Sequence, residues 1–150
     1  MTANKLCFEK MMAGDISTVA KAERECFATP WTEADLQKSL ETNNTVFWLA
    51  KLDGEFAGYI SRMHSFETMD IITVCVLEQY RRHGIATALL SHLEAEAKAK
   101  GVERIFLEVR ESNIVARALY EKNEYSFLNK RKQYYTHPTE DALVLQKEIK

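Results

Sequence analysis

The chain has 150 residues, 46% hydrophobic and 28% charged, which suits one globular domain with one core, spanning residues 1–150, and leaves no room for a second. A net charge of −2 argues against a general nucleic-acid binder, because the basic clusters Arg81-Arg82 and Lys130-Arg131-Lys132 are local. Three cysteines and four histidines without ligand spacing give no metal site, and the lack of a signal peptide or long apolar run points to a reduced, cytoplasmic protein with no membrane segment.

In chain order, Leu6 to Glu9 reads as a strand, and Asp15 as the N-cap of a helix through Phe27 with Ile16, Val19, Ala20, Glu23 and Cys26 at helical spacing. Pro30 cannot continue that helix. Thr32 and Asp35 form a capping-box-like pair that starts another, with Leu36 and Leu40 facing inward. Trp31, between the two, is either a core plug or the wall of a substrate pocket. Val46 to Leu52 and Glu55 to Met63 flank the turn signal Asp53-Gly54 and predict a hairpin. His64 to Asp70 reads as a loop, with His64 solvated.

Ile71 to Val76 is an apolar, β-branched run and predicts a buried central strand. From Ile85 the apolar positions Ile85, Leu89, Leu93 and Ala97 recur at helical spacing until Gly101, which supplies a left-handed stop. Between strand and helix lies the basic turn Arg81-Arg82-His83-Gly84-Ile85-Ala86. A helix N-terminus offers unpaired N–H groups and partial positive charge, so small residues there let an anion approach. A solvated tight turn would look the same by itself. The turn lacks the Lys-Ser/Thr of a P-loop and the G-x-G-x-x-G of a dinucleotide fold.

Glu103 to Arg110 alternates, with Ile105, Leu107 and Val109 on one face and Phe106, Glu108 and Arg110 on the other. Glu108 is thus a carboxylate in an apolar strand, where it needs a partner or a task; a structural pair with Arg110 or another base is one outcome. Ser112 or Asn113 caps a helix from Ile114 to Lys122. Asn113 and Tyr120 are seven apart and share a face with the small Ala116 between them. Phe127 to Tyr135 and Leu143 to Ile149 complete the chain as strands. The order β-α-α-β-β-β-α-β-α-β-β predicts an α/β fold, a mixed, mostly antiparallel sheet flanked by helices.

The turn Arg81-x-x-Gly84-x-Ala86 resembles the pyrophosphate-binding turn of the GNAT superfamily of acyl-CoA N-acyltransferases. The block Leu107-Glu108-Val109-Arg110-x-Ser112-Asn113-x-x-Ala116-x-x-Leu119-Tyr120, the segment Pro30-Trp31-Thr32-Glu33 and the pair Tyr134-Tyr135 are similar to its RimI branch, the N-terminal acetyltransferases of ribosomal proteins. The resemblance covers nearly the whole chain. It implies acetyl-CoA as donor, held by Val74, Cys75, Val76, Arg82, His83, Gly84, Ile85, Ala86, Thr87 and Asn113. It makes Glu108 the general base and Tyr120 the general acid, and it places Trp31, Tyr134 and Tyr135 around a protein N-terminus, by family analogy the alanine of ribosomal protein eighteen of the small subunit. A lysine or small-amine acetyltransferase and a non-catalytic acyl-CoA-binding module are the other readings of the same scaffold. The chain departs from the family pattern at Leu77-Glu78, where Asp-Pro is common, at Ala86, which stands at a glycine, and at Glu124. There the family has a glycine, so the helix is expected to end without its left-handed residue and to reshape a corner near the acceptor site.

Overall fold

Asp53 and Gly54 both take positive φ, 52° and 84°, as a two-residue hairpin turn between twisted strands requires. They fold β2 (Thr45–Leu52) onto β3 (Glu55–Ser65), with Leu52 opposite Glu55. The computed structural model describes residues 5–42 and 45–150. The expected loop from His64 to Asp70 is instead a second tight hairpin. β3 runs on to Ser65 and β4 (Thr68–Val76) begins three residues later, with Phe66 at a φ of 52° between them. Met69 and Ile71 are buried and Asp70 is exposed, so this is an alternating strand whose polar members hid it.

The remaining elements are β1 (Leu6–Lys10), α1 (Ile16–Cys26), α2 (Glu33–Thr42), α3 (Ile85–Ala99), β5 (Arg104–Arg110), α4 (Ile114–Lys122), β6 (Ser126–Tyr135) and β7 (Glu140–Glu148). Their order is the predicted one. The capping box of α2 forms as expected: Thr32 N donates to Asp35 Oδ2 at 2.9 Å and Asp35 N to Thr32 Oγ1 at 3.1 Å. Asp15 stands before α1, but its carboxylate accepts from Met12 N at 2.9 Å and so closes the short 3-10 turn Ala13–Asp15 rather than capping the helix.

The strands form one seven-stranded sheet in the order β1-β2-β3-β4-β5-β7-β6. Every neighbouring pair is antiparallel except β4 and β5. That parallel ladder is short, from Thr68 opposite Arg104 to Ile71 opposite Leu107. Where it stops, the pairing of β4 with β3 skips Ile72, passing from Ile71–Arg62 to Thr73–Ser61. Such a bulge bends the strand that carries it. Beyond it β4 and β5 diverge, and residues 72–76 have no strand partner on that side among the described residues. Gly58 lies across from this segment, and a Cβ there would run into the Cys75 carbonyl oxygen, so a glycine is what lets β3 keep hold of β4 past the bend.

Two cores cover the sheet. On one face, Val19, Ala20 and Ala22 of α1 and Leu36 of α2 pack with Phe47, Leu49, Tyr59 and Cys75. On the other, Ile85, Leu89, Leu90, Leu93 and Ala97 of α3 and Tyr120 of α4 pack with Ile60, Ile71, Ile105, Leu107 and Leu145. Arg62, 5% exposed, is neutralised within the second by Glu96, whose carboxylate takes its Nε at 2.8 Å and Nη2 at 2.9 Å.

His92 beside it is less well served. Its ring stacks on Phe8 at 4.5 Å and meets Trp48 edge-on at 4.4 Å, and its buried Nε2 has no hydrogen-bond partner among the described residues. Burial therefore lowers the imidazole pKa, against a smaller opposing pull from Glu96. A depressed histidine binds its proton more readily unfolded, so stability should fall as pH drops below the unfolded value near 6.5. We expect His92→Phe to remove that part of the acid dependence, as read from denaturant midpoints between pH 7.5 and 5.5. A variant that loses stability in parallel with the parent would show that His92 does not carry it.

After α4 the chain keeps the left-handed corner that the missing glycine made doubtful. Glu124 itself takes a φ of 70°, and Tyr125 N closes the turn on Tyr120 O at 2.9 Å. A side chain in that region costs about 1–2 kcal/mol, part of which a glycine would lose again to unfolded-state entropy. Glu124→Gly should therefore stabilise the fold by about 1 kcal/mol in chemical denaturation.

Candidate active site

The divergence of β4 and β5 opens a cleft with two arms. The first, about 650 Å³, runs from Val74 and Val76 past the turn at residues 80–87 to α4. Gly84 precedes α3 with a φ of 74°, and Arg82 is left-handed as well at 68°. Backbone turned in this way points N–H groups into an anion-binding concavity. The first bond that closes on α3 from the turn is Ala88 N to Gly84 O at 3.0 Å, and among the described residues no side chain caps the helix start. The N–H groups of Ile85, Ala86 and Thr87 are thus the ones a helix leaves without internal acceptors. A Cβ on Gly84 would meet nothing within 4 Å, so the space in front is open. Arg81 fixes the turn to the strand by donating from Nε to Val76 O at 3.1 Å.

The second arm, about 560 Å³, lies between the α1–α2 connection and the β5, β6 and β7 end of the sheet. Glu108 projects from β5 on the face opposite the α3 core and is 28% exposed. Arg131 Nη1 is 3.4 Å from its Oε1, so the neutralising base is Arg131; Arg110 instead pairs with Glu140 at 3.3 Å and holds the carbonyls of Thr136 and Pro138. Tyr134 and Tyr135 cross at 5.1 Å, with the Arg110 guanidinium 4.5 Å over the Tyr135 ring. Hydrogen bonding to the Glu108 carboxylate raises the Tyr134 pKa, and burial, with Glu108 adding to it, pushes Tyr135 up to about 12. Tyr120, 7% exposed, is raised by burial and then by Tyr135. It stays a protonated phenol at neutral pH. The two arms meet at Cys26, Phe27, Val74, Asn113, Ala116 and Tyr120.

Residues 16–125 match the model of the acetyltransferase (GNAT) family. The chain belongs to the GNAT acetyltransferase family. It is 30% identical over 133 residues to the ribosomal protein bS18-alanine N-acetyltransferase of Escherichia coli, covering 87% of this chain and 89% of that one. It is 31% identical over 144 residues to an N-alpha-acetyltransferase of Sulfurisphaera tokodaii, covering 87% and 86%. The crystal structure of the Escherichia coli ribosomal-protein-S18-alanine N-acetyltransferase superposes with a TM-score of 0.84 at 27% identity, over 97% of this chain and 94% of that one. The protein is an acetyl-CoA-dependent N-acetyltransferase of the RimI type.

The acetyltransferase brings most of the residues singled out in its sequence to this cleft. Val76, Arg82, Gly84, Ile85, Ala86 and Thr87 line the first arm; Glu108, Trp31, Tyr134 and Tyr135 line the second; Val74, Asn113 and Tyr120 line both. The side chains of Cys75 and His83 do not. Cys75 alternates with Val74 and Val76 and so enters the α1–α2 core, and His83 turns outward with Nδ1 3.0 Å from Tyr80 O. Asn113, rather than Ser112, is the cap of α4: its Oδ1 accepts from Ala116 N at 3.1 Å. Trp31 packs in the core and also faces the cleft. It meets Phe47 edge-on at 5.6 Å in the core and lines the second arm. Its backbone N donates to Glu23 Oε1 at 2.9 Å, while the Tyr59 hydroxyl donates to Glu23 Oε2.

Arg81, which opens the phosphate-like motif, also lines the first arm. Glu23 and Arg131 are neighbours of the site that the sequence does not announce. Glu23, at a helical core position, and Arg131, in a basic run, carry no local signal. Among the described residues no group of three or more His, Cys, Asp or Glu side chains is placed to hold a metal ion, and no helix is long and apolar enough to cross a membrane.

Proposed function

We propose that residues 1–150 act as one acetyltransferase domain that modifies the N-terminal α-amine of a protein, and that the acceptor is the N-terminal alanine of ribosomal protein eighteen of the small subunit. The observation that carries this reading is the meeting of a carboxylate, a protonated phenol and an aromatic pair in one cleft whose other arm ends at a bare helix N-terminus.

Acetyl-CoA, when bound, supplies the activated acetyl group as a thioester. The N–H groups at the start of α3 and the turn around Gly84 would hold its pyrophosphate. The backbone N–H groups of Val74 to Val76, on the side of β4 that does not pair with β5, are the source of donors for the thioester carbonyl. Glu108 takes a proton from the incoming ammonium, through water, and Tyr120 gives one to the departing sulfur. Trp31 on one side and Tyr134 and Tyr135 on the other hold the first residues of the acceptor.

An α-amine, with a pKa near ~8, gives up its proton more easily than a lysine near ~10.4. A small first residue on a flexible terminus also threads between aromatic walls that a long lysine stem fills less well. The test is to incubate the enzyme with acetyl-CoA and two peptides, one carrying the free N-terminal alanine of the ribosomal protein, the other blocked there but containing lysines. Mass spectrometry should place the acetyl group on the free alanine. Preferential labelling of the blocked peptide, or of spermidine added as competitor, would replace this reading with a lysine or small-amine acetyltransferase.

A further inference from the structure

The two arms of the cleft meet beside a thiol that the reaction does not use. Cys26, the last residue of α1, lines both arms and is half-buried. Its Sγ lies 2.9 Å from that of Cys75, which is 4% exposed and enters the α1–α2 core from β4. The third cysteine, Cys7, sits on the edge strand β1. Two reduced sulfurs so close, on a helix and a strand packed into the same α1–α2 core, need little movement to reach bonding distance.

We propose that Cys26 and Cys75 form an oxidisable thiol pair in the cleft wall, which small-molecule disulfides convert to an intramolecular disulfide. Access sets the order of events. The oxidant reaches Cys26 from the cleft, and burial together with the hydrogen bond to Cys26 keeps Cys75 protonated until then. The Cys26 thiol loses its proton, attacks one sulfur of the small disulfide and releases the first small thiol, leaving a mixed disulfide. Cys75 then loses its proton and attacks the Cys26 sulfur, so that the S–S bond to the small molecule breaks and the second small thiol departs. The protein gives up two electrons and two protons, and the small disulfide takes them up as two thiols. The bridge would tie the segment from Phe27 to Trp31, which leads into the acceptor side of the cleft, to the strand at the cleft's floor.

The test uses the full chain and oxidised glutathione. Wild-type protein should lose about 2 Da, the two thiol hydrogens, with peptide mapping joining Cys26 to Cys75 and with Cys7 still open to alkylation. Cys75→Ser should stop at a glutathione adduct on Cys26, and Cys26→Ser should leave the buried Cys75 unmodified. A persistent adduct on wild-type Cys26, consumption of Cys7 in the bridge, or three alkylatable thiols after prolonged oxidation would overturn the proposal. Oxidised protein should acetylate a peptide several-fold more slowly than the same sample after dithiothreitol. Equal rates would overturn the effect on turnover separately from the bridge, and the mass readout stands apart from the acceptor's identity.

Discussion

Glu108→Gln is expected to lower turnover by roughly 100-fold or more near neutral pH while leaving the affinity for acetyl-CoA unchanged. The amide keeps the shape and hydrogen-bonding reach of the carboxylate but cannot accept the ammonium proton. Glu108 lines the second arm of the cleft and not the first, so donor binding has no reason to respond. The competing account makes Glu108 a partner for Arg131 at 3.4 Å. That pair is partly solvated, with Arg131 56% exposed, and such pairs contribute little to stability. If the pair is all that Glu108 is for, the variant should lose only a small amount of stability and turn over normally. Steady-state rates beside a thermal melt separate the two accounts.

Gly84→Asp should weaken acetyl-CoA binding by roughly 100-fold or more, about 2.7 kcal/mol, in a calorimetric titration. Crowding within the protein is not the cause, because a Cβ at this position meets nothing within 4 Å. The φ of 74° is a conformation that Asp and Asn tolerate better than most residues. The fold should therefore survive, and the loss should come from negative charge at a helix N-terminus that otherwise attracts anions. Gly84→Asn isolates that contribution, since it brings the same bulk and backbone cost without the charge. A much smaller loss for Asn than for Asp is the expected pattern. Equal affinities for the parent and the Asp variant would remove the pyrophosphate from this turn.

The parts of the fold that were legible in the sequence have their cause within a few residues of chain. The Asp53-Gly54 turn, the Thr32–Asp35 capping box, the Asn113 cap and the glycine stop at Gly101 are local chemistry, and each forms. The hairpin at Phe66 was illegible because its strands carry Ser65, Thr68 and Asp70, and pairing rather than propensity makes them strands. The same division runs through the site. Glu108 stands out as a carboxylate in an apolar strand, and Tyr120 follows from its spacing to Asn113. That Arg131 rather than Arg110 faces Glu108 depends on how β6 aligns with β7, with a shift beyond Arg131, and no periodicity encodes that register. The Cys26–Cys75 contact spans 49 positions and belongs to tertiary packing alone.

The short parallel ladder has a consequence for how the molecule comes apart. Between β4 and β5 the sheet is stitched at four residue pairs, from Thr68–Arg104 to Ile71–Leu107, whereas the antiparallel pairing of β3 with β4 extends from Gly58–Val76 to Ser65–Thr68. The amides of residues 72–76, beyond the last β4–β5 pair, are therefore expected to exchange faster than those of the buried ladder itself. A donor molecule held in the first arm, between Val74 and Val76 of β4 and the start of α4, would bind only the folded arrangement of these elements, so its binding energy would add to their cohesion. Saturation with acetyl-CoA should then slow exchange at residues 72–76 more than in the β1–β2 pair, so that the substrate acts as a clasp on the free side of β4.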